Sequence, residues 1–400
     1  MKSLLGITFV FIGFSTAAQD TWVQKDSVNG SPRSVASVFM LDDDAYTAGG
    51  LDEGGFRRKM YSYTYSQDDW DTEESIGGAN GAGLNRGSAA AFSIGDKAYI
   101  VGGQGETVQF LADTWEFDVT TQLWTQRADF GGGPRRQTVY FSANDKGYVG
   151  LGSSPTGLKK DMYTYNPVTN VWTQLNDFPG TARKEAVGFM MGSNAYVGTG
   201  DDGVLKKDFW EYNPFNDSWL QRADFPGTPR KGAVGWGIFP DAFICTGEDI
   251  NFEFKKDLWQ YNYFTNSWQQ RADFPGPGRS NAIAFVLEGF GFVGTGYDGI
   301  FYDDLYAYAP ILSTPEHTLA EQVSVFPNPT HESFSIESEL KQLSLQLYSS
   351  DGKEVTDFVE IQQQANGTKI ERNGLPNGTY ILEIKDQYSN TTTSKKVIFN

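Results

Sequence analysis

The chain has 400 residues, enough for several ordinary domains or for one large repeat array with a small companion. Hydrophobic residues make up 39% and charged residues 20%, which excludes a disordered chain; 15% aromatics and 45 glycines point to short strands joined by tight turns. The net charge of −18 repels phosphate backbones and argues against nucleic-acid binding, and a single cysteine excludes both a disulfide framework and a cysteine zinc site within one chain.

The chain opens with MKSLLGITFVFIGFSTAAQD. Lys2 supplies positive charge, residues 4–14 are apolar, and Thr16-Ala17-Ala18 offers small residues for cleavage. That order reads as a secretory signal peptide over 1–18, its apolar run being too short to span a bilayer. No other stretch is long enough to cross a membrane.

Landmarks then recur about every 50 residues, the signature of stacked supersecondary units. An aromatic stands four residues before a glycine at Tyr46/Gly50, Tyr99/Gly103, Tyr148/Gly152, Tyr196/Gly200, Phe243/Gly247 and Phe292/Gly296. Upstream of each glycine lies an arginine: Arg33, Arg86, Arg135, Arg183, Arg230 and Arg279. Downstream comes a pair of aromatics two apart, such as Trp210/Tyr212, then a tryptophan: Trp70, Trp124, Trp172, Trp219 or Trp268. The sixth unit ends at Ala309-Pro310 without one.

Each unit reads as four strands. In the fourth, AVGFMMG (186–192) is a near-continuous apolar run, expected of an innermost strand buried on both sides. NAYVGTG (194–200), DFWEYNP (208–214) and SWLQRAD (218–224) follow. The missing tryptophan is Trp22, which precedes Arg33 by the same interval that separates Trp172 from Arg183. DTWVQKD (20–26) is therefore a fourth strand without its first three, and the expectation is a ring closed by the N-terminal strand. The motif QRADFPG, at 221–227 and 270–276, connects one unit to the next.

These landmarks, in this order, resemble the kelch-repeat family over 19–310. The resemblance implies an all-β fold, a six-bladed kelch β-propeller. Only the first two units keep Gly-Gly (49–50, 102–103); later ones read Gly-x-Gly or Cys245-Thr246-Gly247.

Residues 311–322 lack the landmarks and read as a linker. Beyond them, Leu343/Leu345/Leu347 and Tyr380/Leu382/Ile384 alternate as half-buried strands do, with hairpin turn signals at Asp351-Gly352 and Asn377-Gly378. About 78 residues suffice for a small Ig-like β-sandwich over 323–400. Phe326-Pro327-Asn328-Pro329, Asp351-Gly352-Lys353, Gly378-Thr379-Tyr380 and the Lys395-Lys396 strand resemble the type A C-terminal sorting domain of the type IX secretion system. That implies the type IX machinery as a partner and a product secreted from, or attached to the outer surface of, a Gram-negative bacterium.

The six arginines are expected at one mouth of the channel, either as an anion-binding rim or as scaffold locked within each repeat. Acidic loops lie nearby at Asp52-Glu53, Asp201-Asp202, Glu248-Asp249 and Asp298; their spacing fits no calcium loop and reads as solvated carboxylates. The connection 71–86 exceeds its counterparts by five residues and reads as a flap or as a tolerated insertion. LKKD at 158–161 and 205–208, with FKKD at 254–257, puts lysine pairs on the same rim, as a solvated fringe or a dock for an acidic partner. Cys245 reads as a buried thiol.

His317 and His331, the two histidines, both lie beyond the repeats, which excludes copper-radical oxidase chemistry in the propeller. The function expected is therefore a binding protein without cofactor or metal, engaging a glycan or protein through Arg33, Arg86, Arg135, Arg183, Arg230 and Arg279. A cofactor-free sugar isomerase resembling sialate mutarotase, and a structural or adhesive surface protein, are the alternatives.

Overall fold

In a computed structural model, the fourth unit folds as Val187–Met191, Asn194–Gly198, Phe209–Asn213 and Ser218–Arg222, an antiparallel sheet in that order. The structure describes residues 20–81, 84–107, 109–310, 323–338, 343–349, 353–364, 367–386 and 392–400. The signal peptide, the linker 311–322 and the Asp351-Gly352 turn lie outside them.

Over 20–310 there are six four-stranded sheets of this kind. One is built from both ends of the region: Thr21–Lys25 pairs antiparallel with Leu305–Ala309, placing Trp22 opposite Tyr308. The first strands of the units touch in succession, and Ile283–Leu287 returns to Ser37–Leu41. These strands alternate between buried and partly open positions rather than being buried on both sides. Val187, Phe189 and Met191 pack between sheets, while Gly188 and Met190 line a central channel.

The connecting motif explains its own recurrence. Arg222 pairs with Glu211 of its own sheet at 2.5 Å. The Ala223 carbonyl accepts the Trp268 indole N–H of the next sheet (2.9 Å), and the Ala223 N–H donates to Asn266 (2.9 Å). Phe225 lies edge-on to Trp268 at 5.5 Å and under Arg230 at 4.9 Å. At the seam the same contacts are made by residues far apart in sequence. Trp22 donates to the Ala272 carbonyl (2.9 Å) and packs edge-on against Phe274 at 5.3 Å. Asp20 takes the place of Asn266, accepting from Ala272 N–H (3.2 Å) and Tyr308 O–H (2.7 Å). Burying an indole this way contributes about 4–6 kcal/mol as an upper bound.

Past the linker, one sheet contains Val323–Phe326, Ser333–Ser338, Gly367–Arg372 and Val359–Gln364, and another contains Leu343–Ser349, Gly378–Asp386 and Thr392–Phe399. Phe334, Ile336 and Ile370 of the first share a core with Leu347, Tyr380, Leu382, Ile384 and Phe399 of the second. Asn377-Gly378 is not a hairpin turn, because the strands on either side of it belong to different sheets.

Candidate functional site: the neck of the channel

All six arginines lie at the start of their units, and all are interior, at 0–2% exposure. Arg230 shows the pattern. Its Nε donates to the Thr228 carbonyl (3.1 Å), and Nη1 donates to the Thr246 carbonyl (2.8 Å). Nη1 and Nη2 also fork onto Asp257 at 2.6 and 2.8 Å, while the guanidinium stacks on Phe225. The same fork joins Arg86 to Asp113, Arg135 to Asp161, Arg183 to Asp208 and Arg279 to Asp304. Each such aspartate stands at the entry to a third strand, just before it or, for Asp113, in its first residues, and those at 113, 208 and 257 also take an indole N–H from the tryptophan two residues on. Arg33 alone has no ion pair among the described residues: Lys59 stands where the aspartate should be, and Arg33 donates instead to the carbonyls of Asn29, Ser31 and Gly49. These guanidinium groups are spent inside the repeat, so the expected anion-binding rim does not form from them.

What the arginines hold is the end of each second strand. The carbonyls they clamp belong to Gly49, Gly102, Leu151, Thr199, Thr246 and Thr295, all at φ between 56° and 69°. This is why Gly-Gly stands in the first units, and why threonine there carries local strain. The next residue is always glycine, and its N–H donates to the following arginine's carbonyl. Gly200 reaches Arg230 at 2.8 Å, and Gly296 returns to Arg33 at 2.8 Å. A Cβ on Gly200 would lie 2.9 Å from the Lys184 carbonyl oxygen, too close to keep that backbone in place.

Two residues past each arginine, the backbone makes a second closed ring. Val35, Ser88, Gln137, Glu185, Gly232 and Asn281 all adopt φ between 49° and 60°. Each donates its N–H to the carbonyl of the ring residue in the preceding unit, at 2.8–3.2 Å, with Val35 completing the circle by donating to Asn281. This ring is the neck of the channel. Nothing in residue type announces it; a shared offset from the arginine is its only sequence signal.

Below the neck the channel holds a cavity of about 530 Å³ walled by small and apolar residues, among them Ala36, Ala186, Gly188, Ala233, Gly235 and Ala284. Tyr140 also faces it, and burial pushes its phenol up to about 12.

Around the neck the chemistry is uneven. Three units place Ser34-Val35, Gly87-Ser88 and Ser280-Asn281 there, all uncharged. The other three place Arg136-Gln137, Lys184-Glu185 and Lys231-Gly232. Burial pushes the Glu185 carboxyl up, against the opposing pull of Lys184 and Lys231. Lys184 Nζ stands 3.8 Å from Glu185 and 3.9 Å from Asp201. Arg136 donates to Gln104 and stacks on Phe110 at 5.0 Å, yet its Nε, and Gln137 Oε1 beside it, are buried without a hydrogen-bond partner among the described residues.

The other expected features resolve as structure. The acidic loops are organised by their own carboxylates: Asp52, Asp201, Asp202, Asp249 and Asp298 each accept the N–H two residues on. Lys206 and Lys255 neutralise Asp202 and Asp249 at 2.8 and 2.7 Å. The first part of the long connection is pinned, since Arg58 donates to the carbonyls of Ile76 and Gly78 at 3.0 and 2.9 Å. Cys245 is fully buried, and that burial pushes its thiol up, away from the reactive thiolate.

A family model described as the KLHDC2/KLHL20/DRC7 Kelch-repeats domain matches residues 36–233, and one described as the secretion system C-terminal sorting domain matches 324–400. The chain is a kelch-repeat protein with a type IX sorting domain. Among curated proteins none matches. A solved structure titled "Structure of YjhT" is similar in fold, with a TM-score of 0.58 at 15% identity over 70% of this chain and 96% of that one. The sorting domain marks the kelch propeller for export by the type IX machinery, to the medium or the outer cell surface. No helix among the described residues is long and apolar enough to cross a membrane.

Proposed function

We propose that this exported kelch propeller is a binding module that engages a glycan or protein ligand at the channel neck, along the arc Arg136, Gln137, Lys184, Glu185 and Lys231. The arginines of the repeat support that face from within. One observation carries the reading: on this arc alone the repeat is broken by charged side chains, with buried polar atoms of Arg136 and Gln137 left unpaired. Residues that serve a scaffold are repeated from unit to unit, as the buried arginines are; these are not. Three cations on an otherwise acidic surface select a ligand carrying carboxylates beside hydrogen-bonding groups, an acidic glycan or an acidic peptide segment.

The test is a glycan and peptide array probed with the full exported chain and with a Lys184→Ala/Lys231→Ala variant. Selective retention of acidic ligands, lost in the variant at unchanged melting temperature, is the expected result. No selectivity in the parent chain contradicts the reading. A second reading, a cofactor-free sugar isomerase, draws on Glu185, a carboxyl at the neck that burial raises and that could serve as an acid or base. NMR of sialic acid anomer exchange decides it: a rate unchanged by the protein removes the isomerase.

A further inference from the structure

The loops that follow the second strands are alike in backbone but not in what they display. In the last three units, 201–207, 248–256 and 297–303, Val204 is 65% exposed, Ile250 70%, Phe252 74% and Ile300 61%, with Tyr297 also exposed. The corresponding loops of the first three units show no exposed large apolar side chain among the described residues. Exposed apolar tips are thus concentrated on three neighbouring loops of one half of one face, a concentration that marks an interaction site on a soluble protein.

The display is built. Phe252 sits at φ 61°, a conformation that bulky side chains avoid. It is held there by its N–H donating to the Asp249 carbonyl (3.1 Å), while the Asp249 carboxylate accepts from Asn251 and Glu253 N–H groups and pairs with Lys255. Asp202 and Lys206 brace Val204 likewise, and Asp298, itself held by Tyr302, braces Ile300. A strained, braced loop that pushes phenylalanine into water lowers the ordering cost of docking.

We infer that these loop tips, Val204, Ile250, Phe252, Tyr297 and Ile300, form a docking surface for another protein that presents an apolar centre with a basic rim. The loops carry seven carboxylates against four lysines. Such a border attracts a cationic rim. A second copy of this chain is disfavoured by its net charge of −18. Three of the five tips, Val204, Ile250 and Ile300, are aliphatic and offer a sugar neither a flat aromatic face nor a polar group, so the patch suits a protein better than a glycan. The loops adjoin the charged arc, since Lys184 is bridged to Asp201 and Lys231 to Glu248, but none of the apolar tips belongs to the arc.

A photo-crosslinking amino acid at Ile300 of the full exported chain, irradiated on producing cells, tests the inference, with Val168 at the opposite end as the control site (92% exposed). The expected result is one discrete protein adduct from position 300 and none from 168. Its crosslinked surface is rich in lysine or arginine, and its yield falls about tenfold with Phe252→Ser at unchanged melting temperature. Adducts with lipid, polysaccharide or a second copy, equal yield from 168, or no adduct would overturn it. The Lys184→Ala/Lys231→Ala variant should keep the adduct, so failure at the neck and failure here are told apart.

Discussion

Arg230→Ala is the sharpest perturbation of the repeat. It removes a guanidinium at 0% exposure that forks onto Asp257 and holds the carbonyls of Thr228 and Thr246. Breaking a buried pair by deleting one partner costs about 3–5 kcal/mol, because the remaining charge loses its compensation. For a domain of this size that lowers the melting temperature by about 5–8 °C. The effect is pH-dependent, and its sign follows from Asp257. Burial raises this carboxyl, but the Arg230 guanidinium together with the Trp259 indole N–H holds it below the usual range. Its stabilisation is therefore present above the unfolded value of about 4 and lost as pH falls through the lower folded one. Without Arg230, only the Trp259 indole and the backbone oppose burial, and the carboxyl rises. The gap between parent and variant is then widest near neutrality and closes as pH drops below about 4. Urea unfolding followed by tryptophan fluorescence from neutral pH down to about pH 3 measures it. Arg33→Ala is the internal control, since Arg33 faces no carboxylate and its loss should show no such closure. An Arg230→Ala variant of parental stability that loses a ligand instead would refute the scaffold assignment.

Three further outcomes follow from the same geometry. Lys59→Asp restores the missing fork opposite Arg33 and should stabilise by about 1–3 kcal/mol in the same unfolding assay. Asp20→Ala removes the acceptor shared by Tyr308 and Ala272 at the seam and should destabilise by about 1–3 kcal/mol, whereas Asp20→Asn should retain most of the stability. Thr246→Gly relieves a β-branched residue at φ 63° whose buried hydroxyl has no partner, and should raise the melting point slightly, by an amount on the order of 0.5–1 kcal/mol net of the glycine's chain entropy.

Much of the fold was legible because each landmark makes one contact that no other residue can make. The tryptophans, the glycine after each clamped carbonyl and Trp22 fall at fixed intervals, and the structure gives each a partner in the neighbouring unit. The arginines were legible as a set but their partners were missed. Asp113, Asp161, Asp208, Asp257 and Asp304 each stand two residues before the first member of the aromatic pair, with Lys59 as the exception. In LKKD and FKKD it is the aspartate, not the lysine pair, that holds the arginine. The neck was not legible, because Val35, Ser88, Gln137, Glu185, Gly232 and Asn281 share a backbone conformation and no chemistry. The apolar loop tips were hidden for a related reason: exposure is decided by the Asx turn that lifts the side chain, and the composition of DDGVLKK or EDINFEF does not reveal it.

Native-state hydrogen exchange across the seam tests the closed ring most directly. The Val35 and Gly296 amides bond to Asn281 and Arg33, across the ends of the repeat region; Gly232 and Gly247 make the equivalent bonds between consecutive units. A closed ring predicts that all four exchange slowly and together, through the same global opening. Fast exchange at Val35 and Gly296, with Gly232 and Gly247 still protected, would describe an open stack and contradict it.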